Sequence, residues 1–396
     1  MQTPWSQLIG ALGSIAFLSF TALAADQQEK SINFTLKSGT YVNFLALSEV
    51  SDYPWTSAAE NKLFGTLSAT QPTPSQTPLV AGPKIGVSGD KFTINGQKKF
   101  LLGVSYFDVL GWKASDLDAL QARRLNLVRI FTDVFSGGIF NSAGDIDQAK
   151  GATVLNFVRA AAARGIIVAV AVLYGYVPLD EIAPVGAAIN AVNGTVTLLK
   201  KEPNVMFDLV NEHNLGKWAV DHAVIQKLID EARAVDPTVI VFASNYEELI
   251  TDITVTSGNQ AMINEEVNTL KFSLLAPHFW RTRNWYDKTD QRVGAIKSYL
   301  NQTNKVLPIF LQEEARRRDG DRNPTKDQFL QAAREARDAG AAGWVFHTNA
   351  GFNLSGTKTF FGNLDPDASG VELATLDALG DEIFGKVSTP PLCQCE

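Results

Sequence analysis

The chain has 396 residues, and its 35 lysines and arginines stand against 42 aspartates and glutamates, a formal net charge of -7. Hydrophobic residues make up 45% and charged residues 19%, which excludes a disordered or collagen-like chain. The acidic balance argues against a nucleic-acid partner, because such a partner needs a basic surface. Both cysteines lie in the last four residues, which excludes a disulfide scaffold or a cysteine-rich metal site.

An uncharged apolar run covers residues 8–25 at the N-terminus. It ends in Ala22-Leu23-Ala24, which is typical of a secretory signal cleaved near Ala24. No lysine or arginine precedes the run, so an uncleaved membrane anchor is the competing interpretation. We expect residues 1–24 to be a signal peptide and the protein to be secreted or periplasmic.

The segment after the signal peptide differs in composition from the rest. Residues 25–68 form an N-terminal extension whose short alternating stretches indicate a few strands. Residues 69–83 are rich in Pro, Thr and Ser, which is typical of a linker. We place a domain boundary there, expect a catalytic domain over residues 84–387, and expect a tail over residues 388–396.

The catalytic domain opens with a predicted hairpin, in which Asn95-Gly96 forms the turn. Eight short apolar runs follow, each with a longer amphipathic or loop segment behind it, as expected of parallel strands buried on both faces. The runs cover residues 100–108, 127–133, 166–174, 205–212, 239–245, 274–280, 308–314 and 343–348. Helical patterns are clearest at 115–125, 146–164, 219–235, 289–300, 325–340 and 370–385, and weakest at 246–270. The sequence therefore predicts an α/β fold of the (β/α)8 TIM-barrel type.

Polar and aromatic residues follow the apolar runs, at the end of a barrel where active sites lie. A pair of carboxylates there is what glycoside hydrolysis needs, because one protonates the leaving oxygen and the other attacks the anomeric carbon. Mutual repulsion helps to keep one carboxyl protonated, and an arginine keeps its neighbour ionised. The candidates are Tyr106, Arg129, Asn211, Glu212, Asn245, His278, Trp280, Glu313, Glu314, Trp344 and His347.

Three of these runs resemble strands of the clan A glycoside hydrolases, especially the cellulase family (glycoside hydrolase family 5). They are NLVRIF, FDLVNE and PIFLQEE, in the second, fourth and seventh runs. The resemblance implies that Glu212 is the acid/base and that Asn211 holds the sugar 2-hydroxyl. It also implies that Glu313, five residues after Pro308, is the nucleophile.

The resemblance further assigns Arg129 and His278 to the family's strand-two arginine and strand-six histidine. Other positions depart from the family pattern. The third run ends in Tyr174 without the family's histidine, and Trp280 stands in place of a strand-six tyrosine. His347 takes the place of a strand-eight tryptophan, and His213 follows Glu212 where proline is common.

Several roles stay open in the sequence. Arg129 alternatively forms a structural ion pair with Asp208. A strand bulge would turn Glu314 inward instead of Glu313, although we expect Glu314 to form a surface ion pair with the arginines at 316–318. The rings of Trp280 and Trp344 are candidates for stacking on sugars, and Tyr106 and Asn245 are weaker candidates at the same rim.

The predicted function is a retaining glycoside hydrolase of β-linked glycans, of the β-glucan or β-mannan type. It resembles endo-β-glycanases, and the sequence leaves endo or exo action open. We expect an oligo- or polysaccharide substrate, no cofactor or metal, no nucleic-acid partner, no membrane contact after signal cleavage, and a monomer. One alternative is a catalytically inactive barrel that binds glycans. The other is a metal-dependent barrel hydrolase, in which His213, His278 and His347 hold zinc.

Overall fold

The computed structural model describes residues 30–35, 41–46, 82–133, 138–174, 185–216, 219–246, 249–279, 285–314, 324–347 and 368–386. Contacts divide the chain into two units, Met1–Thr77 and Pro78–Glu396. In the first unit, β1 (Lys30–Thr35) and β2 (Tyr41–Ala46) form an antiparallel pair. The predicted signal peptide, nearly all of the linker and the tail lie outside the described residues.

The second unit begins with a small antiparallel sheet of three strands, β3 (Ile85–Ser88), β4 (Lys91–Ile94) and β5 (Gln97–Lys99). The predicted hairpin is present between β4 and β5. Asn95 and Gly96 both have positive φ, 53° and 78°, as a two-residue turn of this kind requires.

Seven parallel strands then form one curved sheet, in the spatial order β10-β9-β8-β7-β6-β14-β13. In chain order they are β6 (Leu101–Tyr106), β7 (Leu127–Phe131), β8 (Ile167–Tyr174), β9 (Val205–Asn211), β10 (Val241–Phe242), β13 (Phe310–Leu311) and β14 (Gly343–Phe346). Two further short strands, β11 (Asn245–Tyr246) and β12 (Pro277–His278), pair in parallel. Almost every residue of the longer strands is buried, as the apolar runs predicted.

Eight α-helices among the described residues surround the strands. They are α1 (Ala114–Ala122), α2 (Gln148–Ala162), α3 (Val185–Leu199), α4 (His222–Val235), α5 (Ser257–Asn264), α6 (Thr289–Gln302), α7 (Lys326–Asp338) and α8 (Ala368–Phe384). A π-helical turn, Glu265–Thr269, follows α5, and a 3-10 turn, Trp285–Asp287, precedes α6. None of the helices in the described part of the chain combines the length and hydropathy that a membrane span needs.

The sixth apolar run joins the two edges of the seven-stranded sheet. On one side the backbone N–H of Ser273 donates to the carbonyl of Val241 at 2.9 Å. On the other side the N–H of Leu275 donates to Pro308 at 2.9 Å, and that of Phe310 donates to Leu275 at 2.8 Å. The strands therefore form the TIM barrel that the sequence predicted.

The small β3–β5 sheet packs against the barrel strands. Phe92 on β4 is fully buried and meets Phe310 of β13 edge-on, with ring centroids 5.7 Å apart. Lys91 donates from Nζ to the carbonyl of Gly340 at 2.5 Å, just before β14. The hairpin that the sequence showed is thus part of the barrel's core rather than a separate appendage.

Gly103 tests the packing of β6 against β7. A methyl group added at Gly103 would collide with the backbone carbonyl of Leu127, which cannot move without disturbing the strand pair. We expect Gly103→Ala to lower the free energy of unfolding by about 1–3 kcal/mol. In contrast, Gly294→Ala meets open space within α6 and should raise stability by about 0.5–1 kcal/mol. Urea denaturation measures both, and equal effects would contradict this packing.

Candidate active site

The guanidinium of Arg129 lies at the centre of the polar site. Arg129 is fully buried on β7. Its Nη1 donates to Oε1 of Glu313 at 2.5 Å, while its Nη2 donates to Oδ1 of Asn211 and to Oδ2 of Asp208, the latter at 3.4 Å. A buried cation is tolerated only with partners of this kind. Arg129 on β7 thereby binds two side chains of β9 and one that follows β13.

Asp208 forms the structural ion pair with Arg129 that the sequence analysis considered. Its Oδ2 contacts Arg129, and its Oδ1 accepts from the backbone N–H of Ser244 at 2.9 Å. Burial raises the pKa of the Asp208 carboxyl, and the nearby guanidinium of Arg129 opposes that shift. Asp208 therefore fixes Arg129 to β9, while Glu313 takes the other guanidinium nitrogen.

Glu212 has a backbone conformation that is uncommon for a residue with a side chain. Its φ is +53°, in the left-handed region. Ser244 holds this turn, because its Oγ accepts from the N–H of Glu212 at 3.0 Å and its carbonyl accepts from the N–H of His213 at 3.0 Å. A regular strand would send Asn211 and Glu212 to opposite faces. The left-handed turn lets both side chains reach the same site.

The side chain of Glu212 is buried beside His278 of β12. Oε1 of Glu212 lies 2.9 Å from Nδ1 of His278, and Nε2 of His278 lies 3.2 Å from Oε1 of Gln312. Among the residues that the structure describes, Oε2 of Glu212 has no hydrogen-bond partner. One oxygen of Glu212 is thus held in place, while the other remains available to a reacting group.

Glu313 is the inward residue of the Glu313-Glu314 pair. Besides Arg129 on Oε1, its Oε2 lies 3.3 Å from Nε2 of His347 and 4.0 Å from Nδ1 of His278. Glu313 is buried, with 2% of its surface exposed. The adjacent guanidinium favours the ionised form of this carboxyl.

The two carboxylates lie close together. One oxygen of Glu212 and one of Glu313 lie within 4.8 Å of each other, and a ring nitrogen of His278 lies within the same distance of both. Their surroundings differ, because Glu313 faces a cation and Glu212 faces a histidine. Such an asymmetric pair suits two different roles, one acid and one nucleophilic.

The family model described as Cellulase (glycosyl hydrolase family 5) matches residues 88–350, more than half of the chain. The chain belongs to glycosyl hydrolase family 5. It is therefore a glycosidase by family, with the barrel and the polar strand ends that its sequence predicted. No curated protein matches it at a significant level.

Solved structures share the family 5 fold with this chain at low sequence identity. A β-mannanase from the blue mussel Mytilus edulis is 13% identical and has a TM-score of 0.51, over 76% of this chain and 97% of that one. A β-glucanase from Saccharophagus degradans, in complex with cellotetraose, is 14% identical with a TM-score of 0.52, over 78% and 98%. An endo-β-1,4-mannanase from Thermotoga petrophila is 11% identical with a TM-score of 0.53, over 75% and 79%.

Glu314 does not lie at the surface, and that expectation was wrong. It is buried, Thr289 donates to its Oε1 at 2.7 Å, and the indole N–H of Trp344 donates to its Oε2. Burial raises the pKa of Glu314 to about 7, while these two hydrogen bonds and Arg292 partly oppose the rise. Residues 316–318, its expected partners, lie outside the described residues.

The side chains of Trp344 and Tyr106 do not lie beside Glu212 and Glu313. Trp344 is 1% exposed and stacks on Phe346, whose ring packs against α7, so its face is not presented to a sugar. Tyr106 donates from its hydroxyl to Asp116 of α1 at 2.6 Å. Both therefore point toward the helices, because side chains alternate along a strand and their neighbours take the inner positions.

Asn245 is also directed elsewhere. Its Nδ2 donates to Oε1 of Glu266 at 2.8 Å, and its Oδ1 accepts from Asn214 at 3.3 Å. His213 contacts the same carboxylate at 3.1 Å, so it lies in this buried polar cluster and not with Glu212 and Glu313. Trp280 lies outside the described residues and its role stays a prediction.

Three residues that contact the site were not among the predicted site residues. They are Ser105, Ser244 and Gln312. Ser105 Oγ lies 2.8 Å from Nδ1 of His347, and Gln312 contacts His278. The alternation of the first run would have indicated Ser105, because it occupies the face opposite Tyr106. Ser244 acts through its backbone and hydroxyl on a turn that no sequence pattern revealed.

The histidines do not assemble the zinc site of the alternative hypothesis. His213 contacts Glu266, whereas His278 and His347 contact Glu313. Glu212, His278 and Glu313 do place three potential ligand atoms within 4.8 Å of one another. The guanidinium 2.5 Å from Glu313 would repel a metal cation bound there, so the donor set fits a proton-transfer site better.

The raised pKa of Glu314 predicts how the stability of the folded protein depends on pH. Its pKa rises from an ordinary 4.5 to about 7 on folding, so between these values the unfolded chain loses a proton that the folded protein keeps. The free energy of unfolding should therefore fall as pH rises through this window. Glu314→Gln should remove a decline of about 3 kcal/mol, measured by urea denaturation across that pH range. Glu382→Gln, a partly exposed control, should keep the wild-type slope.

Proposed function

We propose that the protein is a retaining glycoside hydrolase that cleaves β-linked glycans with Glu313 as nucleophile and Glu212 as acid/base. The observation that carries this proposal is the close approach of the two buried carboxylates, within 4.8 Å, in unlike surroundings. Membership of glycosyl hydrolase family 5 supports the same chemistry.

The reaction takes two displacements. Glu313 attacks the anomeric carbon and forms a glycosyl ester, while Oε2 of Glu212 gives its proton to the departing glycosidic oxygen. Glu212, now ionised, then takes a proton from water, whose oxygen attacks the same carbon and releases Glu313. Because Arg129 holds the oxygen of Asn211, the amide nitrogen of Asn211 is the group offered to the sugar 2-hydroxyl.

The distance between the carboxylates favours retention over inversion. Retaining enzymes hold the two groups about 5–5.5 Å apart, whereas inverting enzymes leave about 6.5–9.5 Å for a water molecule. Oxygens within 4.8 Å of each other fit the shorter separation. A direct attack by Glu313 therefore suits the site better than attack by water from the opposite side.

The proposed substrates are β-1,4-linked glucans or mannans, cleaved within the chain. Support comes from the fold shared with two mannanases and with a glucanase bound to cellotetraose.

The proposal includes export, because the apolar N-terminal run is typical of a secretory signal. It also includes a monomeric state. Edman sequencing of protein recovered from outside an expressing cell would find Ala25 as the first residue if the signal is cleaved after Ala24.

The stereochemistry of hydrolysis tests the reaction type. Purified protein is incubated with soluble β-1,4-glucan and β-1,4-mannan oligosaccharides while proton NMR follows the anomeric signals. We expect the β-anomer to appear first and the α-anomer only later by mutarotation. The α-anomer as first product would contradict the double displacement, and glycan binding without any product would favour the inactive barrel.

The acid/base role of Glu212 predicts a dependence on the leaving group. Glu212→Gln should slow cleavage of unactivated oligosaccharides by about 10²–10⁴-fold, because their departing oxygen needs a proton. Aryl glycosides with good leaving groups should lose far less in the glycosylation step. Glu382→Gln serves as the matched control and should retain full activity on both substrates. Equal losses on the two substrate types would argue against this role for Glu212.

A further inference from the structure

Three neighbouring strands place Ser105, His347 and Glu313 in one line of contacts. Ser105 Oγ lies 2.8 Å from Nδ1 of His347, and Nε2 of His347 lies 3.3 Å from Oε2 of Glu313. The three side chains are 0%, 3% and 2% exposed. Register explains the first contact, because Phe346 of β14 pairs with Val104 of β6 and the next residues along are His347 and Ser105.

We propose that Ser105 and His347 are positioning residues for the nucleophile, with the serine hydroxyl fixing the tautomer in which His347 donates a neutral N–H to Glu313. This inference rests on the proposed function of Glu313. It gives the carboxylate a second donor, because Arg129 donates to Oε1 and Nε2 of His347 lies 3.3 Å from Oε2.

The positions of the protons follow from the partners. Arg129 lies 2.5 Å from Glu313 and favours its ionised form, and an ionised carboxylate only accepts hydrogen bonds. Nε2 of His347 must therefore carry a hydrogen. A neutral imidazole has one N–H, so Nδ1 is the acceptor and the Ser105 hydroxyl donates to it.

A neutral ring fits this site because Arg129 already supplies a cation to the same carboxylate. His347 is 3% exposed, and the guanidinium of Arg129 contacts the same carboxylate, so a second cation would face both desolvation and repulsion. The ring of Phe107 meets that of His347 edge-on at 5.5 Å and helps to fix its plane. Within the described part of the chain, the other charged and titratable side chains near this carboxylate include Arg129, Asp208, Glu212 and His278.

A neutral N–H of His347 can orient the Glu313 carboxylate without adding a second positive charge beside it. Two donors on separate oxygens fix the plane of the Glu313 carboxylate, which orients it toward the anomeric carbon. A second full positive charge on Oε2 would stabilise the carboxylate before attack and so slow the attack. The Ser105 hydroxyl thus decides which nitrogen of His347 carries the hydrogen, and so whether Oε2 of Glu313 has a donor in addition to the one that Arg129 gives Oε1.

Nitrogen NMR of the histidine rings tests the tautomer without reference to activity. The chain has four histidines, so substitution assigns each signal. At neutral pH we expect His347 of the wild type to carry its hydrogen on Nε2, and Ser105→Ala to give a mixture of tautomers. His222, which is partly exposed and pairs with Glu265 at 3.6 Å, is the internal control and should not change. A wild-type His347 with its hydrogen on Nδ1, or an imidazolium at neutral pH, would overturn the proposal.

Kinetics test the positioning role separately. Ser105→Ala should lower kcat by about tenfold with little change in KM, on good and poor leaving groups alike, because it acts on the nucleophile and not on the acid. His347→Gln keeps an N–H donor and should retain more activity than His347→Leu. Thr153→Ala, which removes an exposed hydroxyl from α2, is the matched control. Unchanged kcat in Ser105→Ala, or equal activity of the two His347 variants, would overturn the proposal.

The two experiments separate this inference from the proposed function. If the wild type cleaves no glycan but shows the Nε2–H tautomer, the hydrolase proposal is wrong and the Ser105–His347 arrangement is retained. If the wild type cleaves glycans but His347 carries its hydrogen on Nδ1, the hydrolase proposal is retained and the positioning proposal is wrong. The wild-type spectrum decides the tautomer even if Ser105→Ala fails to fold.

Discussion

A single buried positive charge organises the polar end of this barrel. Arg129 has no access to water, so its guanidinium needs negative and polar partners inside the protein. Asp208 and Asn211 of β9 and Glu313 after β13 supply them. Because these partners come from strands far apart in the chain, satisfying one cation fixes the relative positions of the strand ends.

This constraint also makes the two glutamates unequal. Glu313 shares its carboxylate with a cation, whereas Glu212 sits beside His278 with one oxygen unpartnered among the described side chains. The left-handed turn at Glu212, held by Ser244, brings the second carboxylate close to the first. A strained backbone at a reactive residue is the kind of feature that a well-packed scaffold can maintain. The barrel thus supplies both charge asymmetry and geometry.

Much of this arrangement follows from the sequence. The barrel was predictable because buried parallel strands read as continuous apolar runs. Asn211 and Glu212 stand at the end of one such run, and Arg129 is a charged residue inside another. Helix α3 was missed, because its Ala-, Val- and Thr-rich sequence carries too few charged residues to show a polar face. Side chains no longer alternate regularly between the two faces where a strand ends, so the sequence alone did not decide whether Glu313 or Glu314 points inward.

The errors share a physical origin. Trp344, Tyr106 and Asn245 lie in strands at the expected places, yet their side chains bind Glu314, Asp116 and Glu266 and not the paired carboxylates. One residue of register separates a sugar-facing side chain from a helix-facing one. Glu314 illustrates the same point, since its buried hydrogen bonds to Thr289 and Trp344 could not be inferred from its neighbours in the chain.

Covalent trapping tests most directly whether the charge-paired glutamate is the group that attacks the sugar. The protein is incubated with 2-deoxy-2-fluoro-β-cellobiosyl or mannobiosyl fluoride, whose good leaving group allows the first displacement and whose fluorine slows the second. We expect a stoichiometric mass increase of one disaccharide unit, located by peptide mapping on Glu313. A label on Glu314 or Glu212, or no label on a protein that hydrolyses the parent glycan, would contradict it.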